Sequence, residues 1–204
     1  MYALVEDGSI TKHINGNRGI TIGDVQYPRS IFSLWSEAER NAIGLYTITF
    51  NNTKKKDEEY YINTNQTYTY DADAGTVTAT YGDATARKHA DTLWTAQDES
   101  DGKGTEGELA YRGLKYNLIQ TVKQQANNLL SETDWYVTRK YEKSTAIPSN
   151  VTTWRNGIRS KQAEMETAIT NASDTPALET LYTYTKQEDG SITRPLGELP
   201  VLDS

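Results

Sequence analysis

The residue types that most often carry catalysis are scarce in this chain. It has two histidines, His13 and His89, and no cysteine among its 204 residues. His13 falls in a predicted strand and His89 in a predicted helix, and neither is marked out by its neighbours as a general base or a metal ligand. The sequence has no Gly-x-x-x-x-Gly-Lys loop, no Gly-x-Ser-x-Gly elbow, and no Gly-x-Gly-x-x-Gly after a predicted strand. The sequence therefore predicts a protein that is not an enzyme and needs no cofactor.

Asp71, Asp73 and Gly75 have part of the pattern of a calcium-binding loop. An EF-hand loop requires Gly at its sixth position and Glu at its twelfth. Counted from Asp71, those positions hold Thr76 and Gly82, so the pattern fails. We expect a solvated hairpin tip here, and no metal site is predicted.

Three arginines in the C-terminal half are the remaining candidates for binding. Arg155 and Arg159 are four residues apart and therefore share one face of a helix, and Arg139 precedes them. Two interpretations stay open. The arginines could hold Asp134 or Glu142 of the same chain and so fix the preceding segment to the helix. They could instead present paired donors to a carboxylate of a partner protein.

The elements that must position these residues begin with a small antiparallel β unit rich in Tyr and Thr. Asp7-Gly8 predicts a tight turn, because type I′ turns need residues that accept positive φ. Ser36 and Glu39 have the spacing of a capping box, which predicts a helix over residues 36–43. Strands are predicted at residues 2–5, 10–14, 20–22, 45–50, 60–62, 68–70 and 77–81.

From residue 84 the pattern becomes helical, which predicts a second domain and an α+β protein overall. Residues 1–83 form the predicted β-rich domain and residues 84–204 the helical one, built around a helical hairpin. Its helices are predicted at 84–98, at 108–130, from Pro148 onwards and from Pro176 to about 184. Three glycines make 99–107 the predicted linker. The proline-containing tail, 194–202, is expected either to lie extended on a partner or to fray.

Apolar residues on the last long helix recur at a spacing that predicts packing against another helix. Val151, Ile158 and Met165 are seven residues apart, and Trp154 lies on the adjoining line. A second Asp-Gly turn is expected at Asp189, where the chain repeats the sequence of its first hairpin turn.

Charge and hydropathy exclude two classes of partner. The formal net charge is −7, so the continuous basic face that nucleic acid requires is not expected. No apolar run approaches the roughly 18–20 residues needed to span a membrane, so no membrane contact is predicted. The N-terminus lacks the basic region of a signal peptide, and synthesis without export is expected.

The segment 134–160 carries a recognisable pattern: Asp134-Trp135, Arg139, Ile147-Pro148, Trp154-Arg155 and Arg159, in this order. It resembles the C-terminal signature of bacteriophage tail assembly chaperones and tail fibre assembly proteins. The resemblance covers 27 of the 204 residues. The long β-rich front half departs from the short members of that family.

The resemblance implies a protein that binds and shields a tail or tail fibre subunit, without nucleotide, in the host cytoplasm during assembly. A homo-oligomer remains open. An alternative is a permanent component of the virion, such as a tail, baseplate or fibre-adaptor protein. An enzyme acting on host glycans is disfavoured, because no pair of acids is singled out by its surroundings. The residues expected at the partner contact are Trp135, Arg139, Trp154, Arg155, Ile158 and Arg159.

Overall fold

The computed structural model describes residues 1–202 and confirms the predicted α+β class, with strands first and helices after. The chain forms two compact units, and the division between them falls after Thr85. The predicted domain boundary falls after residue 83.

The first unit is built on eight strands and two short helices, of which seven strands and the second helix are predicted from the sequence. The capping box at Ser36 is present: the Ser36 N–H donates to the Glu39 carboxylate over 2.7 Å, which lowers the pKa of Glu39. The elements are β1 (Tyr2–Glu6), β2 (Ser9–Ile14), β3 (Ile20–Ile22), β4 (Val25–Tyr27), α1 (Ile31–Leu34), α2 (Glu37–Asn41), β5 (Leu45–Asn51), β6 (Tyr61–Ile62), β7 (Gln66–Asp71) and β8 (Thr76–Tyr81).

Five of these strands form one sheet in the order β2-β1-β5-β8-β7. The prediction of an antiparallel unit is wrong for one pair, since β5 and β8 run parallel. The hairpin of β7 and β8 lies with β7 at the edge, so β8 is inserted between β5 and β7. The alternation of side chains does not determine which strand of a hairpin pairs with the rest of the sheet, because that pairing depends on residues distant in sequence.

The core of this sheet is small and is completed by tyrosines. Ala3, Ile48 and Val77 are buried at its centre, with tyrosine rings packed against them. The hydroxyls of Tyr46 and Tyr70 share a hydrogen bond of 3.0 Å, and this bond raises the pKa of Tyr46. Tyrosine therefore supplies ring area to a thin core while its polar end stays satisfied.

The second unit is mainly helical, and a two-residue strand, β9 (Thr85–Ala86), spans the division between the units. The elements that follow are β10 (Thr92–Leu93), α3 (Ala96–Ser100), β11 (Leu109–Tyr111), α4 (Leu114–Ser131), α5 (Asp134–Lys143), α6 (Ser149–Asn171), α7 (Thr175–Tyr182), β12 (Thr185–Lys186) and β13 (Ile192–Thr193). The expected turn at Asp189 is present between β12 and β13.

The predictions of a helix over 84–98 and of a linker over 99–107 are both wrong. Strand β10 pairs with β11, so the glycine-rich segment is the connection within a hairpin and not a link between domains. Asp91 accepts hydrogen bonds from the Gly113 N–H at 2.8 Å and from Arg112 at 2.6 Å, and both lower its pKa. These contacts are distant in sequence and override the weak helical preference of an Ala-containing segment.

The connection itself is ordered by a second capping box. Thr95 and Asp98 exchange hydrogen bonds at the start of α3, and Lys103 folds back to the Asp98 carboxylate at 3.1 Å. The hydrogen bonds from Thr95, followed by the one from Lys103, lower the pKa of Asp98 to about 2.

The predicted packing between the last long helix and another helix is confirmed. Ala126 of α4 lies against Trp154 and Ile158 of α6. Helix α4 begins at Leu114, because the first residues of the predicted helix 108–130 form β11 instead.

We predict that the Asp98 carboxylate titrates with a midpoint near pH 2 in the folded chain, against an ordinary value of 3.8. Since the folded pKa is the lower one, the capping box stabilises α3 fully above about pH 4 and loses this effect as the pH falls through about 2. Carboxyl-detected NMR measures the midpoint. In Thr95→Val the midpoint should return towards 3.8, and an unchanged midpoint in that variant would contradict the assignment.

Candidate protein-binding site

Helix α5 differs from α4, α6 and α7 of the same unit, each of which has buried residues. It has ten residues, from Asp134 to Lys143, and none of them is buried. It ends at Ser144, which adopts a left-handed conformation with φ of 55°. A helix this short is marginal in water by itself, so its position depends on contacts at its ends. The sequence pattern did not predict it as a helix.

Arg155 of α6 fixes the first turn of α5. Its guanidinium donates to the Asp134 carboxylate at 2.7 Å, to the Thr133 hydroxyl at 2.6 Å and to the Leu130 carbonyl at 2.7 Å. The Leu130 carbonyl lies in the last turn of α4, where it also accepts from the Thr133 N–H and the Thr133 hydroxyl, each at 3.1 Å. One side chain thus joins the end of α4, the connecting turn and the start of α5.

The interpretation of Arg155 as an internal brace is therefore confirmed, and its prediction as a partner-contact residue is corrected. Arg155 is 7% exposed, so its charge is accessible only to groups of its own chain. A buried guanidinium must be satisfied internally, and three acceptors of the same unit achieve this.

Trp154 and Ile158 are also corrected from contact residues to interior ones. Both are buried against α4, and the Trp154 indole N–H donates to the carbonyl of Pro200 at 2.8 Å. Leu199 and Leu202 pack over the same cluster. The tail therefore lies on its own unit, neither frayed nor extended on a partner.

Arg194 holds the beginning of this tail in place. Its guanidinium pairs with Glu198 at 2.8 Å and lies over the rings of Tyr182 and Tyr184 at 5.3 and 5.2 Å. The Tyr184 hydroxyl donates to Glu198 at 2.6 Å, which raises the pKa of Tyr184. The sequence pattern missed this cluster because its members come from two places that are distant in sequence, the end of α7 and the start of the tail.

Trp135 and Arg139 remain at the surface, on α5. The guanidinium of Arg139 lies 4.7 Å from the centre of the Trp135 ring and 5.0 Å from that of Tyr136. The two rings are stacked, with centres 3.8 Å apart. The cation is thus held by aromatic faces, a contact worth about 0.5–2 kcal/mol depending on exposure. The Nε atom of Arg139 is covered and has no hydrogen-bond partner among residues 1–202.

Two further apolar side chains of α5 are exposed. Val137 is 45% exposed and Tyr141 is 93% exposed, and a spacing of four residues puts them on the same side of the helix. Trp135, on another side, is 51% exposed. We name Trp135, Val137, Arg139 and Tyr141 the α5 surface.

Arg159, the last of the six predicted contact residues, is exposed on α6. Its guanidinium donates to the Arg155 carbonyl at 3.3 Å, and no carboxylate of the described residues pairs with it. It does not share the internal role of Arg155, one helical turn away.

A comparison of the chain with protein-family models, with curated proteins and with solved structures finds no match. The resemblance of residues 134–160 to tail assembly proteins therefore stays a prediction. Within the described residues, no three His, Asp or Glu side chains converge to bind a metal ion, and no helix is long and apolar enough to cross a membrane.

Replacing Arg155 by Met should lower the free energy of unfolding by about 3 kcal/mol, because three charge-assisted hydrogen bonds are lost at a buried position. Arg159→Met is the matched control and should cost less than about 0.5 kcal/mol, since Arg159 is exposed. Urea unfolding of both variants checks this. Equal losses in the two variants would show that Arg155 does not have this bracing role.

Replacing Leu199 by Ala should lower the free energy of unfolding by about 1–2 kcal/mol, below the roughly 2–5 kcal/mol of a fully buried leucine because Leu199 is partly exposed. Val201→Ala, in the same tail but 84% exposed, should have little effect. The Trp154 indole N–H resonance should shift in Leu199→Ala only. If both variants are as stable as the parent chain, the tail does not contribute to this core.

Proposed function

We propose that this chain is a non-enzymatic assembly protein of a tailed bacteriophage, which binds a tail or tail fibre subunit through the α5 surface. The observation that carries the proposal is a ten-residue helix with no buried residue and three exposed large apolar side chains. The resemblance to tail and tail fibre assembly proteins falls on the same segment and supports the same site.

An exposed helix with aromatic side chains on two sides fits a binding mode in which it lies in a groove of its partner, with Trp135 against one wall of the groove and Tyr141 against the other. Trp and Tyr are the residues that most often dominate the affinity of such contacts, because each buries a large rigid ring. Arg139 is already oriented by two aromatic rings, so it loses little freedom when it meets a carboxylate of the partner.

Shielding by this surface needs no nucleotide. The apolar side chains of α5 would cover a complementary apolar patch on the subunit until that patch is buried in the assembled tail or fibre. The energy comes from apolar area removed from water, about 25 cal/mol for each Å².

A permanent virion component is the second candidate, and the first unit favours it. That unit has its own core around Ala3, Ile48 and Val77, which shielding by α5 does not require. A separate β unit offers a second attachment surface, as an adaptor between tail and fibre would need. Mass spectrometry of purified particles separates the candidates, because only a permanent component is present in stoichiometric amounts.

The double variant Trp135→Ala/Tyr141→Ala should lose at least about thirtyfold in affinity for the subunit, since each ring contributes about 1–3 kcal/mol at a contact of this kind. Co-expression with each tail and fibre protein of the same phage, followed by affinity capture and calorimetry, measures the loss.

The control is Tyr111→Ala, which removes an exposed aromatic ring of the second unit outside α5 and should leave binding intact. Circular dichroism should show that all variants are folded, because the replaced side chains are exposed. A folded double variant that still captures and solubilises its partner would refute the α5 surface as the contact.

A further inference from the structure

The first unit contains a cavity that the proposed function does not use. It is about 800 Å³ in volume and is lined by β1 and β2, by the loop that follows β2 and by the start of β3. This volume is within the range of roughly 300–1,000 Å³ that is usual for small-molecule sites. Ile14 and Ile20, which are partly exposed, give it an apolar part.

The charges in this cavity are all of one sign. Among the described residues that line it, Lys12 and Arg18 carry a positive charge and none is acidic. This contrasts with a chain whose formal net charge is −7. The cavity is therefore a local concentration of positive charge in an acidic protein.

The two cations of the cavity, Lys12 and Arg18, are not neutralised by a neighbouring carboxylate of the described residues. Within residues 1–202, neither Lys12 nor Arg18 forms an ion pair with a carboxylate. Lysines elsewhere in the same unit do, as Lys54 does with Asp83 at 2.9 Å. Unpaired cations of this kind are available to a ligand without the loss of an internal salt bridge.

The loop that carries Arg18 is held by two close backbone approaches. A side chain at Gly16 would meet the rings of Tyr2 and Phe32 at 3.0 and 3.1 Å, and the φ of Gly16 is +73°. A side chain at Gly19 would meet the carbonyl oxygen of Tyr27 at 2.7 Å. The loop is thus fixed before any ligand binds, which reduces the entropy lost on binding.

We propose that this cavity binds a small ligand that carries a phosphate or carboxylate group. Lys12 supplies a compact charge, and Arg18 supplies a planar pair of donors that matches the oxygens of either group. The side-chain amides of Asn15 and Asn17 also line the cavity and add neutral donors. The apolar part at Ile14 and Ile20 contacts the carbon skeleton of the ligand, as it would for a sugar phosphate or a uronic acid.

The test is an amide NMR titration of the full chain with glucose 6-phosphate, with galacturonate and with sodium chloride at matched ionic strength. We expect saturable shifts of the amides from Asn15 to Gly19 with at least one of the two sugar acids. Shifts with glucose 6-phosphate alone identify a phosphate ligand, and shifts with galacturonate alone identify a carboxylate ligand. Sodium chloride should cause only small, non-saturating shifts.

Arg18→Gln should raise the Kd at least about tenfold, whereas Lys54→Met, which removes one charge elsewhere in the unit, should leave it within about twofold. Gly19→Ala should weaken binding with every charge retained, and the remaining amide signals report whether this variant is folded. The proposal is overturned if neither sugar acid gives a saturable shift, or if Arg18→Gln and Lys54→Met weaken binding equally. If only a single-stranded DNA oligonucleotide causes shifts, the proposal of a small acidic ligand is wrong and the cavity binds nucleic acid instead.

Discussion

The buried guanidinium of Arg155 is the interaction on which the arrangement of the helical unit depends. A charge in this position is tolerated only when its donors are satisfied, and the acceptors come from the end of α4, from Thr133 and from Asp134. These groups also determine where α5 begins. Because none of the residues of α5 is buried, this polar anchor replaces the apolar packing that normally holds a helix in place. The exposure of Trp135 and Tyr141 is possible because Arg155 holds α5 at its first turn.

Contacts with other parts of the chain explain why the apolar stripe of α6 is interior and why α5 is the better candidate surface. Trp154 and Ile158 have α4 on one side and the tail residues Leu199 and Leu202 on the other. An apolar stripe at helical spacing does not reveal which element covers it. Here the chain covers it with its own C-terminal segment, and the hydrogen bond from the Trp154 indole to Pro200 fixes the register of that segment.

The parts of the fold that were predictable from sequence depend on neighbouring residues. The turn at Asp7, the capping box at Ser36 and the strand β5 all follow from local sequence, and each is present. The predictions that were wrong concern contacts between residues that are distant in sequence. The parallel pairing of β5 with β8 depends on the position of a hairpin, and the segment before α3 is held by Arg112 and Gly113 through Asp91. For the candidate site, the spacing of arginines indicated a brace, but only the burial of Arg155 and the exposure of Arg159 distinguish their roles.

The two proposed sites, the α5 surface and the cavity beside β2, share a local excess of positive charge. The chain as a whole is acidic, yet α5 carries three basic residues and two acidic ones, and the cavity beside β2 has Lys12 and Arg18 among its lining and no acidic residue. A net negative charge repels polyanions at long range, whereas a local positive region attracts an anionic group at short range. An extended polyanion such as nucleic acid would meet the acidic remainder of the surface, but a small acid or a single carboxylate on a partner would not. The positive charge is thus placed where it selects compact anionic groups, and this selectivity follows from the contrast between each site and its acidic surroundings.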